Sequence, residues 1–430
     1  MRTVVYGGVG WKRWLASLPR SSAPRAEVAR GAEAIVRAVR RGGDAALVRL
    51  TERLDGVRLT PKELRVSPRE IRALAGPADP RVVAALRTMA RQIEVFHRRQ
   101  LAPGFRQRLA DGSSLEEVVR PLASAGLYVP GGAGAYPTSV LMNAIPARVA
   151  GVPRLVLVTP PRTLEKNPAV AAAILVAGVE DHVYRVGGAQ AVAALAYGTK
   201  TVPAVDKIVG PGNAWVAAAK RLVRGQVETD GEAGPSEVAI LADASADPGW
   251  VAADLLAQAE HGSGDETVVL VTPSRELAAE TARLVADGID SVANRAKARR
   301  ALARYAAVVL VGDLVEGVAA VNALAPEHVE VMTKGASRVA RGIVGGAVFV
   351  GPYAPVAVGD YGIGPNHVLP TGGAARFSSP LSVRDFQRRQ SVVTLTRTGL
   401  ARVAEGVVRV AMAEGFRGHA QSVLTRFEGE

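Results

Sequence analysis

The residues best suited to chemistry in this chain are its histidines and the polar side chains beside them. The sequence holds six histidines and no cysteine. Four histidines stand near a carboxylate or an amide, in the segments Gln258-Ala-Glu-His261, Glu327-His328, Asp360 to His367, and Glu414 to His419. Imidazole, carboxylate and amide groups can bind a borderline divalent ion such as zinc, and the first two also perform general acid–base catalysis. Without a thiol, an all-cysteine metal site and a cysteine nucleophile are both excluded.

Local spacing alone leaves the metal question open. Gln258 and His261 lie three apart on a predicted helix and so share a face, with Gly262 positioned to end that helix. The same histidine could instead stabilise the helix C-terminus through the helix dipole. Asp360 follows a Gly- and Pro-rich loop, which is also typical of a turn aspartate, and His419 lies just beyond the last predicted helix.

Glu327 and His328 open a predicted strand directly after Pro326. Neighbours on a strand point to opposite faces, so the two side chains can serve one site only at a loop–strand junction. The pairs 258/261 and 327/328 both lie where helices end. That edge is opposite to the carboxyl ends of the strands, where open α/β sheets usually bind ligands.

The elements that must position these residues follow an α/β pattern. A chain of 430 residues predicts two or three domains, and 48% hydrophobic with only 4% aromatic residues favours α/β cores. Apolar spacing predicts a helix over 26–54, and Asp79 before Pro80 predicts a second helix that reaches about Gln100. From Gly126 onward strands alternate with helices, which predicts two wound parallel sheets in tandem with a ligand cleft between them. The predicted strands are 126–130, 154–158, 182–185, 207–209, 237–241, 267–271, 306–311, 328–332 and 347–350.

Two glycine pairs bear on nucleotide binding. A full Gly-x-Gly-x-x-Gly pattern does not occur around either Gly132-Ala-Gly134 or Gly210-Pro-Gly212, and each fragment alone is typical of a turn. The second pair and Asn213 lie between a predicted strand and a predicted helix, where backbone N–H groups can meet a phosphate. At this level NAD and other anions are equally compatible.

The charge balance raises the question of nucleic acid. Lys and Arg exceed Asp and Glu by 53 to 40, a formal net charge of +13. The arginines are scattered, the densest cluster at Arg295–Arg304 resembles one exposed helix, and no aromatic–basic interleaving typical of base stacking occurs. We therefore expect no nucleic-acid partner. No apolar run approaches the roughly 18 residues of a membrane span and the first twenty residues have no secretory pattern, so we expect a cytoplasmic protein without membrane attachment.

Taken together, ten segments in order along the chain resemble the histidinol dehydrogenase family. They run from Gly126 to His419 and are far more specific than any single motif. The segments are Gly126-Leu-Tyr-Val-Pro-Gly-Gly, Tyr136-Pro-Thr-Ser-Val-Leu-Met-Asn-Ala-Ile-Pro-Ala, Val186-Gly-Gly-Ala-Gln, Val209-Gly-Pro-Gly-Asn, Ala233-Gly-Pro-Ser-Glu, Ala257-Gln-Ala-Glu-His, Ala325-Pro-Glu-His, Gly359-Asp-Tyr, Asn366-His-Val-Leu-Pro-Thr, and Glu414-Gly with His419.

The resemblance implies an oxidation of L-histidinol to L-histidine through the aldehyde, with two NAD reduced and one zinc ion per subunit. It implies that zinc is held by Gln258, His261, Asp360 and His419, and that NAD contacts Tyr128, Gln190 and Asn213. The implied substrate contacts are Ser236, Gln258, His261, His328, Asp360, Glu414 and His419, with Ser139 and His367 nearby.

The resemblance also implies a proton-transfer pair and a shared site. Glu327 and His328 would transfer protons, and a homodimer would exchange C-terminal tails so that Glu414 and His419 complete the partner's site. We hypothesise that His328 removes the alcohol proton and that Glu327 helps activate water. Because no cysteine exists to form a thiohemiacetal, the second oxidation must start from a hydrated aldehyde.

Four regions are expected on this basis. Residues 1–24 form an N-terminal arm, and residues 25–123 plus 236–381 form a first α/β domain with most metal and catalytic residues. Residues 124–235 form a second, incomplete Rossmann-like domain that contacts NAD, and residues 382–430 form a tail with a short strand pair and a helix over 398–414.

Two departures from the family pattern leave alternatives open. Val356 stands where a glutamate is usual after Pro355, and Gly231 stands where an apolar residue is usual after Asp230. An NAD- and zinc-dependent relative that acts on another small diol, such as a sulfonated one, is the nearest alternative, although Glu414 suits a cationic substrate better. A zinc hydrolase that uses Glu327 and His328 is a second alternative.

Overall fold

The computed structural model describes residues 1–20, 25–131, 136–231 and 234–428. Gly132 and Gly134, the first glycine pair that bears on nucleotide binding, lie outside these ranges. The described residues form fifteen strands: β1 Arg2–Val5, β2 Arg65–Val66, β3 Phe105–Arg108, β4 Ser114–Pro121, β5 Ser124–Tyr128, β6 Arg154–Thr159, β7 Val183–Arg185, β8 Lys207–Val209, β9 Glu228–Thr229, β10 Glu237–Ala242, β11 Thr267–Thr272, β12 Ala307–Leu310, β13 His328–Met332, β14 Ala347–Val350 and β15 Gln387–Thr394.

Helices connect most of these strands, as the predicted alternation requires. The described residues hold seventeen α-helices: α1 Val9–Ser17, α2 Ala26–Asp55, α3 Pro68–Ala75, α4 Pro80–Arg98, α5 Pro137–Ala150, α6 Thr163–Lys166, α7 Pro168–Ala177, α8 Gly188–Tyr197, α9 Ala214–Val223, α10 Pro248–Ala259, α11 Arg275–Gly288, α12 Arg295–Arg304, α13 Leu314–Leu324, α14 Ala336–Ala340, α15 Val356–Asp360, α16 Arg397–Ala413 and α17 Arg417–Leu424.

The chain divides into two compact units. Unit 1 contains residues 1–100 and 122–386, and unit 2 contains residues 101–121 and 387–430. Unit 1 holds two six-stranded sheets: sheet I has the order β2-β7-β6-β5-β8-β9, and sheet II has the order β1-β12-β11-β10-β13-β14. Apart from the antiparallel edge strand β2, all pairs in these two sheets are parallel. The predicted α/β class with two wound parallel sheets is confirmed.

Sequence signals at helix starts correspond to real caps. Asp79 accepts a hydrogen bond from the Arg81 N–H, and Pro80 is the first residue of α4, as Asp–Pro at a helix start predicts. Asp247 and Asp313 cap α10 and α13 in the same way.

The N-terminal arm expected over 1–24 is wrong, because its first strand belongs to sheet II. β1 pairs in parallel with β12, with Val4 opposite Val309. Trp11 and Trp14 of α1 are buried in the same core as Val309. A run of β-branched residues followed by two tryptophans buries apolar area on a sheet edge, where a detached arm would expose it.

The expected grouping of residues 25–123 with 236–381 is also wrong. Helix α2 shares a core with α8, α9 and sheet I, and α4 shares a core with α5 and α7 on the other face of that sheet. β2 pairs with β7 at the sheet I edge. The first hundred residues other than β1 and α1 therefore pack with residues 124–229. An amphipathic face shows that a helix is buried but does not say against which sheet.

Unit 2 is a three-stranded antiparallel sheet in the order β15-β4-β3 with helices α16 and α17. The strand pair expected within the tail is wrong, because β15 pairs over its whole length with β4, some 270 positions earlier, with Gln387 opposite Pro121. The helix predicted over 398–414 is present as α16. Within the described residues, no helix is both long and apolar enough to cross a membrane.

Candidate active site

A cleft of about 960 Å³ in unit 1 joins the carboxyl edge of sheet I to the amino edge of sheet II. On one side lies the loop Gly210–Asn213, which follows β8. On the other side lie the residues that open β10 and β13. Glu327 and His328 lie at the amino edge of sheet II, which is not the edge where such sheets usually bind ligands, and Gln258 and His261 lie at the same end. Their position is explained because this edge of sheet II faces the carboxyl edge of sheet I, where ligands usually bind. The sequence-predicted residues that line the cleft are Ser139, Asn213, Ser236, His261, Glu327, His328, Asp360 and His367.

His328 is the first residue of β13 and is oriented by a backbone hydrogen bond. Its Nδ1 lies 3.1 Å from the Glu237 carbonyl oxygen, so Nδ1–H donates and Nε2 keeps its lone pair. Nε2 lies 3.8 Å from Asp360 Oδ1. Burial lowers the pKa of His328, partly offset by the charge of Asp360. The geometry therefore presents a neutral imidazole with a basic nitrogen facing a carboxylate.

Glu327 directly precedes β13 and is buried with His328. Its Oε2 accepts the Glu237 N–H at 3.1 Å, and the Ser236 hydroxyl donates to the same carboxylate. Burial raises the pKa of Glu327 to about 8. A carboxyl group that titrates near neutral pH is suited to proton transfer in both directions. The loop–strand junction required for 327 and 328 to serve one site is present.

Glu237 is a buried residue of this cluster that the sequence analysis did not single out. Its Oε2 accepts the N–H of Glu327 at 3.2 Å and the N–H of Gly372 at 3.0 Å. Burial, followed by the negative charge of Glu327, raises the pKa of Glu237 to about 7. One signal was available, since Glu237 follows Ser236 and opens a strand whose other five residues are Val, Ala, Ile, Leu and Ala. A carboxylate there must have buried donors to accept.

The residues proposed for metal binding come from two short elements of unit 1. Gln258 lies in the last turn of α10, is 3% exposed, and neither atom of its amide has a hydrogen-bond partner. His261 follows the end of α10 and lines the cleft. Asp360 ends α15, and its carbonyl oxygen accepts a hydrogen bond from His367 Nδ1 at 3.0 Å.

Ser139 extends this network across the cleft from helix α5. Its hydroxyl lies 3.4 Å from Nε2 of His367, so the hydroxyl donates to that nitrogen while Nδ1 donates to Asp360. Burial lowers the pKa of His367. A neutral His367 therefore links a residue that packs on sheet I to a candidate metal ligand beside sheet II.

The residues expected to contact NAD differ in exposure. Tyr128 and Gln190 are 3% and 1% exposed; the Tyr128 hydroxyl accepts the Gly188 N–H at 3.1 Å, and Gln190 donates to Asp55 at 3.2 Å. Both lie beneath the carboxyl edge of sheet I and do not line the cleft. Asn213 is exposed in the cleft, and its side-chain oxygen caps α9 by accepting from the Trp215 and Val216 N–H groups. Those two donors are therefore already used and do not await a phosphate.

Glu414 and His419 belong to unit 2. Glu414 is the residue after α16, and the His419 ring stacks on Phe416 with ring centroids 5.0 Å apart. Both side chains are exposed. Unit 1 thus holds the residues of the cleft, while these two predicted residues are displayed on the surface of the other unit.

Comparison with known proteins gives one consistent result. The sequence profile of the histidinol dehydrogenase family matches residues 18–427. The histidinol dehydrogenases of Moorella thermoacetica and a Synechococcus strain are each 47% identical, over 94% and 91% of this chain and 95% and 90% of theirs. The crystal structure of histidinol dehydrogenase from Elizabethkingia anophelis superposes with a TM-score of 0.92 at 32% identity, covering 100% of this chain and 98% of that one.

The chain belongs to the histidinol dehydrogenase family. The resemblance found from ten sequence segments is confirmed, as is the expectation that the protein is an oxidoreductase of histidine biosynthesis. The histidinol dehydrogenase match spans both units, so the separate tail elements are part of the family's chain.

The donor set in unit 1 of this histidinol dehydrogenase family member fits a zinc ion. A buried glutamine whose amide has no protein partner costs free energy unless something binds it, and His261 lies on the same turn. Among the described residues, no three His, Cys, Asp or Glu side chains converge closely enough to hold a metal by themselves. Of the four expected zinc ligands, only His261 and Asp360 are residues of these four types in unit 1. Gln258 is an amide, and His419 lies in unit 2.

Proposed function

We propose that this protein oxidises L-histidinol to L-histidine through L-histidinal, with reduction of two NAD and with one zinc ion in each site. The observation that supports this most strongly is the cleft itself. It unites the basic nitrogen of His328, the titratable carboxyl of Glu327 and the glycine loop before α9. A hydrolase would need the first two groups but not an entrance lined by that loop.

NAD would bind along the carboxyl edge of sheet I and would accept a hydride in each oxidation. Gly210 is suited to this edge, since a Cβ there would lie 2.1 Å from the Tyr128 carbonyl oxygen. Lys207, Arg221 and Arg224 line the same cleft and favour an anionic dinucleotide. Lys207 also pairs with Asp385 and Arg224 with Glu228, so these side chains contribute positive potential at the cleft.

Zinc would be held by Gln258, His261 and Asp360 of one chain and by His419 from unit 2 of the second chain in the dimer. It would orient the amino and imidazole groups of histidinol and so fix the reacting carbon against the cofactor. His367 would keep Asp360 in place through its Nδ1 hydrogen bond. Ser139 keeps His367 in the matching tautomer by donating to Nε2.

In the first oxidation His328 would act as the general base. Its Nδ1–H is committed to the Glu237 carbonyl, so the alcohol proton goes to Nε2 while the hydride leaves carbon. The imidazolium that forms is stabilised by Asp360, whose Oδ1 lies 3.8 Å away, and by Glu327, whose Oε2 lies 3.6 Å from Nδ1. The product of this step is the aldehyde.

In the second oxidation Glu327 would take a proton from water as the water adds to the aldehyde carbon. The hydrated aldehyde then loses a second hydride from carbon and a proton from oxygen, which gives the carboxylate of histidine. The pKa of Glu327, raised by burial to about 8, suits a base that works near neutral pH. No covalent bond to the enzyme is needed, in agreement with the absence of cysteine.

A homodimer that exchanges unit 2 would supply Glu414 and His419. Val403, Val407 and Val410 are exposed at spacings of four and three along α16, and Glu414 continues that stripe. A second cavity of about 650 Å³ in unit 1 reaches His328, Asp360 and His367 from a side lined by Phe96, Phe349 and Ile363. The apolar stripe of a second copy has the chemistry to enter such a cavity.

The function is tested by following NADH formation with purified protein in the presence of zinc. We expect NADH with L-histidinol and with L-histidinal, and loss of the signal after treatment with a chelator that zinc restores. NADH formed from other small diols, sulfonated ones included, with none from histidinol would favour the alternative substrate. Ester or amide hydrolysis with no NADH would favour the hydrolase.

A further inference from the structure

A pair of buried carboxyl groups lies behind the site and takes no part in the proposed chemistry. Glu330 on β13 is 1% exposed, and Asp254 on α10 is partly buried. The two carboxyl groups lie next to each other, close enough to interact directly. Glu330 Oε1 accepts the Val356 N–H at 2.7 Å, and its Oε2 receives no N–H or hydroxyl hydrogen bond. A hydrogen bond between these two carboxyl groups would need one shared proton.

Asp254, Glu330 and Val356, which Glu330 contacts, each lie a few positions along the chain from a residue of the site. Asp254 precedes Gln258 by one helical turn, and Glu330 follows His328 by two positions on the same face of β13. Val356, whose N–H Glu330 binds, precedes Asp360 by one turn of α15. Asp254 and Glu330 therefore connect helix α10, strand β13 and helix α15. This contact lies behind the site side chains that the three elements carry.

Helix α15 depends on this contact more than a longer helix would. It has five residues, and no side chain caps it through its N-cap residue Pro355. A helix this short is not stable on its own, and its first N–H would be unsatisfied without Glu330. Burial and the neighbouring Asp254 raise the pKa of Glu330, consistent with a neutral carboxyl that accepts from the Val356 N–H.

We propose that Glu330, acting with Asp254, is a positioning residue that fixes the helix of Gln258 and the helix of Asp360 against the strand of His328. The pair thereby sets the spacing of the metal and substrate ligands. Apolar residues would fill the same volume at little cost to stability, and they are often more stabilising than buried polar groups. A carboxyl pair retained here instead provides directional contacts to two elements. The proposal rests on the proposed zinc site.

The test compares two ways of breaking the contact with two matched controls. Glu330→Leu removes both contacts, and Val356→Pro removes only the N–H, at the first position of a helix where proline is tolerated. Glu330→Gln keeps an acceptor for Val356 and a donor for Asp254, and Val356→Ala keeps the N–H. The full-length protein is equilibrated with zinc alone against a graded chelator, and the Tm of the metal-free form is measured in parallel.

We expect Glu330→Leu and Val356→Pro to weaken zinc binding by about 10- to 100-fold, the usual effect of losing a group that orients a ligand. Glu330→Gln and Val356→Ala should bind zinc like the wild type. A merely structural role would lower the Tm of the metal-free protein and leave zinc affinity unchanged, which would overturn the proposal. Loss of zinc in Glu330→Gln equal to that in Glu330→Leu would also overturn it.

Failure of the proposed function gives a different result. A wild-type protein that binds zinc but forms no NADH from histidinol contradicts the function, and the four zinc affinities still decide the role of Glu330. A wild-type protein that binds no zinc contradicts both. If Glu330→Leu does not fold, Val356→Pro alone decides the outcome, because it leaves both carboxyl groups in place.

Discussion

Glu237 and Glu327 each accept the backbone N–H of the other, at 3.2 and 3.1 Å respectively. These two hydrogen bonds join the amino ends of β10 and β13. They directly precede the parallel pairing of the two strands, which begins with Val238 opposite His328. The candidate base is thus held by a second carboxyl group that lies beside it and also takes the N–H of Gly372.

We therefore predict that Glu237→Ala is severely destabilising. It would leave the buried N–H groups of Glu327 and Gly372 without acceptors, at a cost of about 2–4 kcal/mol in the free energy of unfolding. Glu237→Gln keeps an oxygen in the same position and should fold with nearly wild-type stability. Urea unfolding of both variants checks this, and equal stability of the two would show that the hydrogen bonds contribute little.

The roles of the proton-transfer pair can be separated by substrate. Glu327→Gln should reduce the oxidation of supplied histidinal by about 10²- to 10⁴-fold, the usual contribution of general acid–base catalysis. His328→Gln should have its largest effect on the alcohol, since its Nε2 receives that proton. Stopped-flow measurement of NADH from each substrate tests the assignment. Unimpaired histidinal oxidation by Glu327→Gln, with alcohol oxidation blocked, would reverse the two roles.

The glycine before α9 is predicted to be irreplaceable. Gly210 has φ of 115° and its Cβ would lie 2.1 Å from the Tyr128 carbonyl oxygen, so Gly210→Ala should cost at least about 1–3 kcal/mol in strain and raise the KM for NAD. Gly231→Ala is the control, since no atom of the described residues lies within 4 Å of its Cβ position. Thermal unfolding and initial rates at varied NAD measure both effects. A Gly210→Ala protein with the KM and Tm of Gly231→Ala would argue against a cofactor at this loop.

The stability of the metal-free protein should fall as the pH rises from about 6.5 to 8. Burial raises the pKa of Glu237 to about 7 and of Glu327 to about 8, so the folded protein keeps protons that the unfolded chain has lost. His328 and His367 have lowered pKa values and oppose this trend only below their unfolded value near 6.5. Between about pH 6.5 and 8 the carboxyl groups dominate, and each lowers stability by up to about 1.4 kcal/mol per pH unit.

Thermal unfolding of the chelated protein across this range tests the sign. Glu327→Gln cannot ionise and should flatten the pH dependence. A Tm that rises from pH 6.5 to 8 would contradict the assignment of buried protonated carboxyl groups.

Much of the fold follows from local sequence signals. The Asp79–Pro80 cap, the apolar stripe of α2 and the alternation after Gly126 each depend on neighbours within one element, and the bounds agree within a few residues. The partner of an element depends on contacts distant in sequence. For this reason the pairing of β15 with β4, the edge position of β1 and the packing of α2 on sheet I were not predictable.

In the site, too, some residues could be predicted from local sequence and others could not. Gln258, His261, Glu327 and His328 are visible because their types and spacing suggest chemistry. Asp254 and Glu330 act through contacts with the backbone or with each other, and in the sequence their buried carboxyl groups look like exposed ones. Only the fold, which places Asp254 against Glu330 across 76 positions, reveals their contacts.

We propose that one cleft without a thiol carries out both oxidations. This is tested by counting the NADH formed for each L-histidinol consumed by the zinc-loaded wild-type protein, with product analysis in the same samples. We expect two NADH per histidinol, L-histidine as product and no accumulation of free histidinal. One NADH per histidinol with the aldehyde accumulating would contradict it.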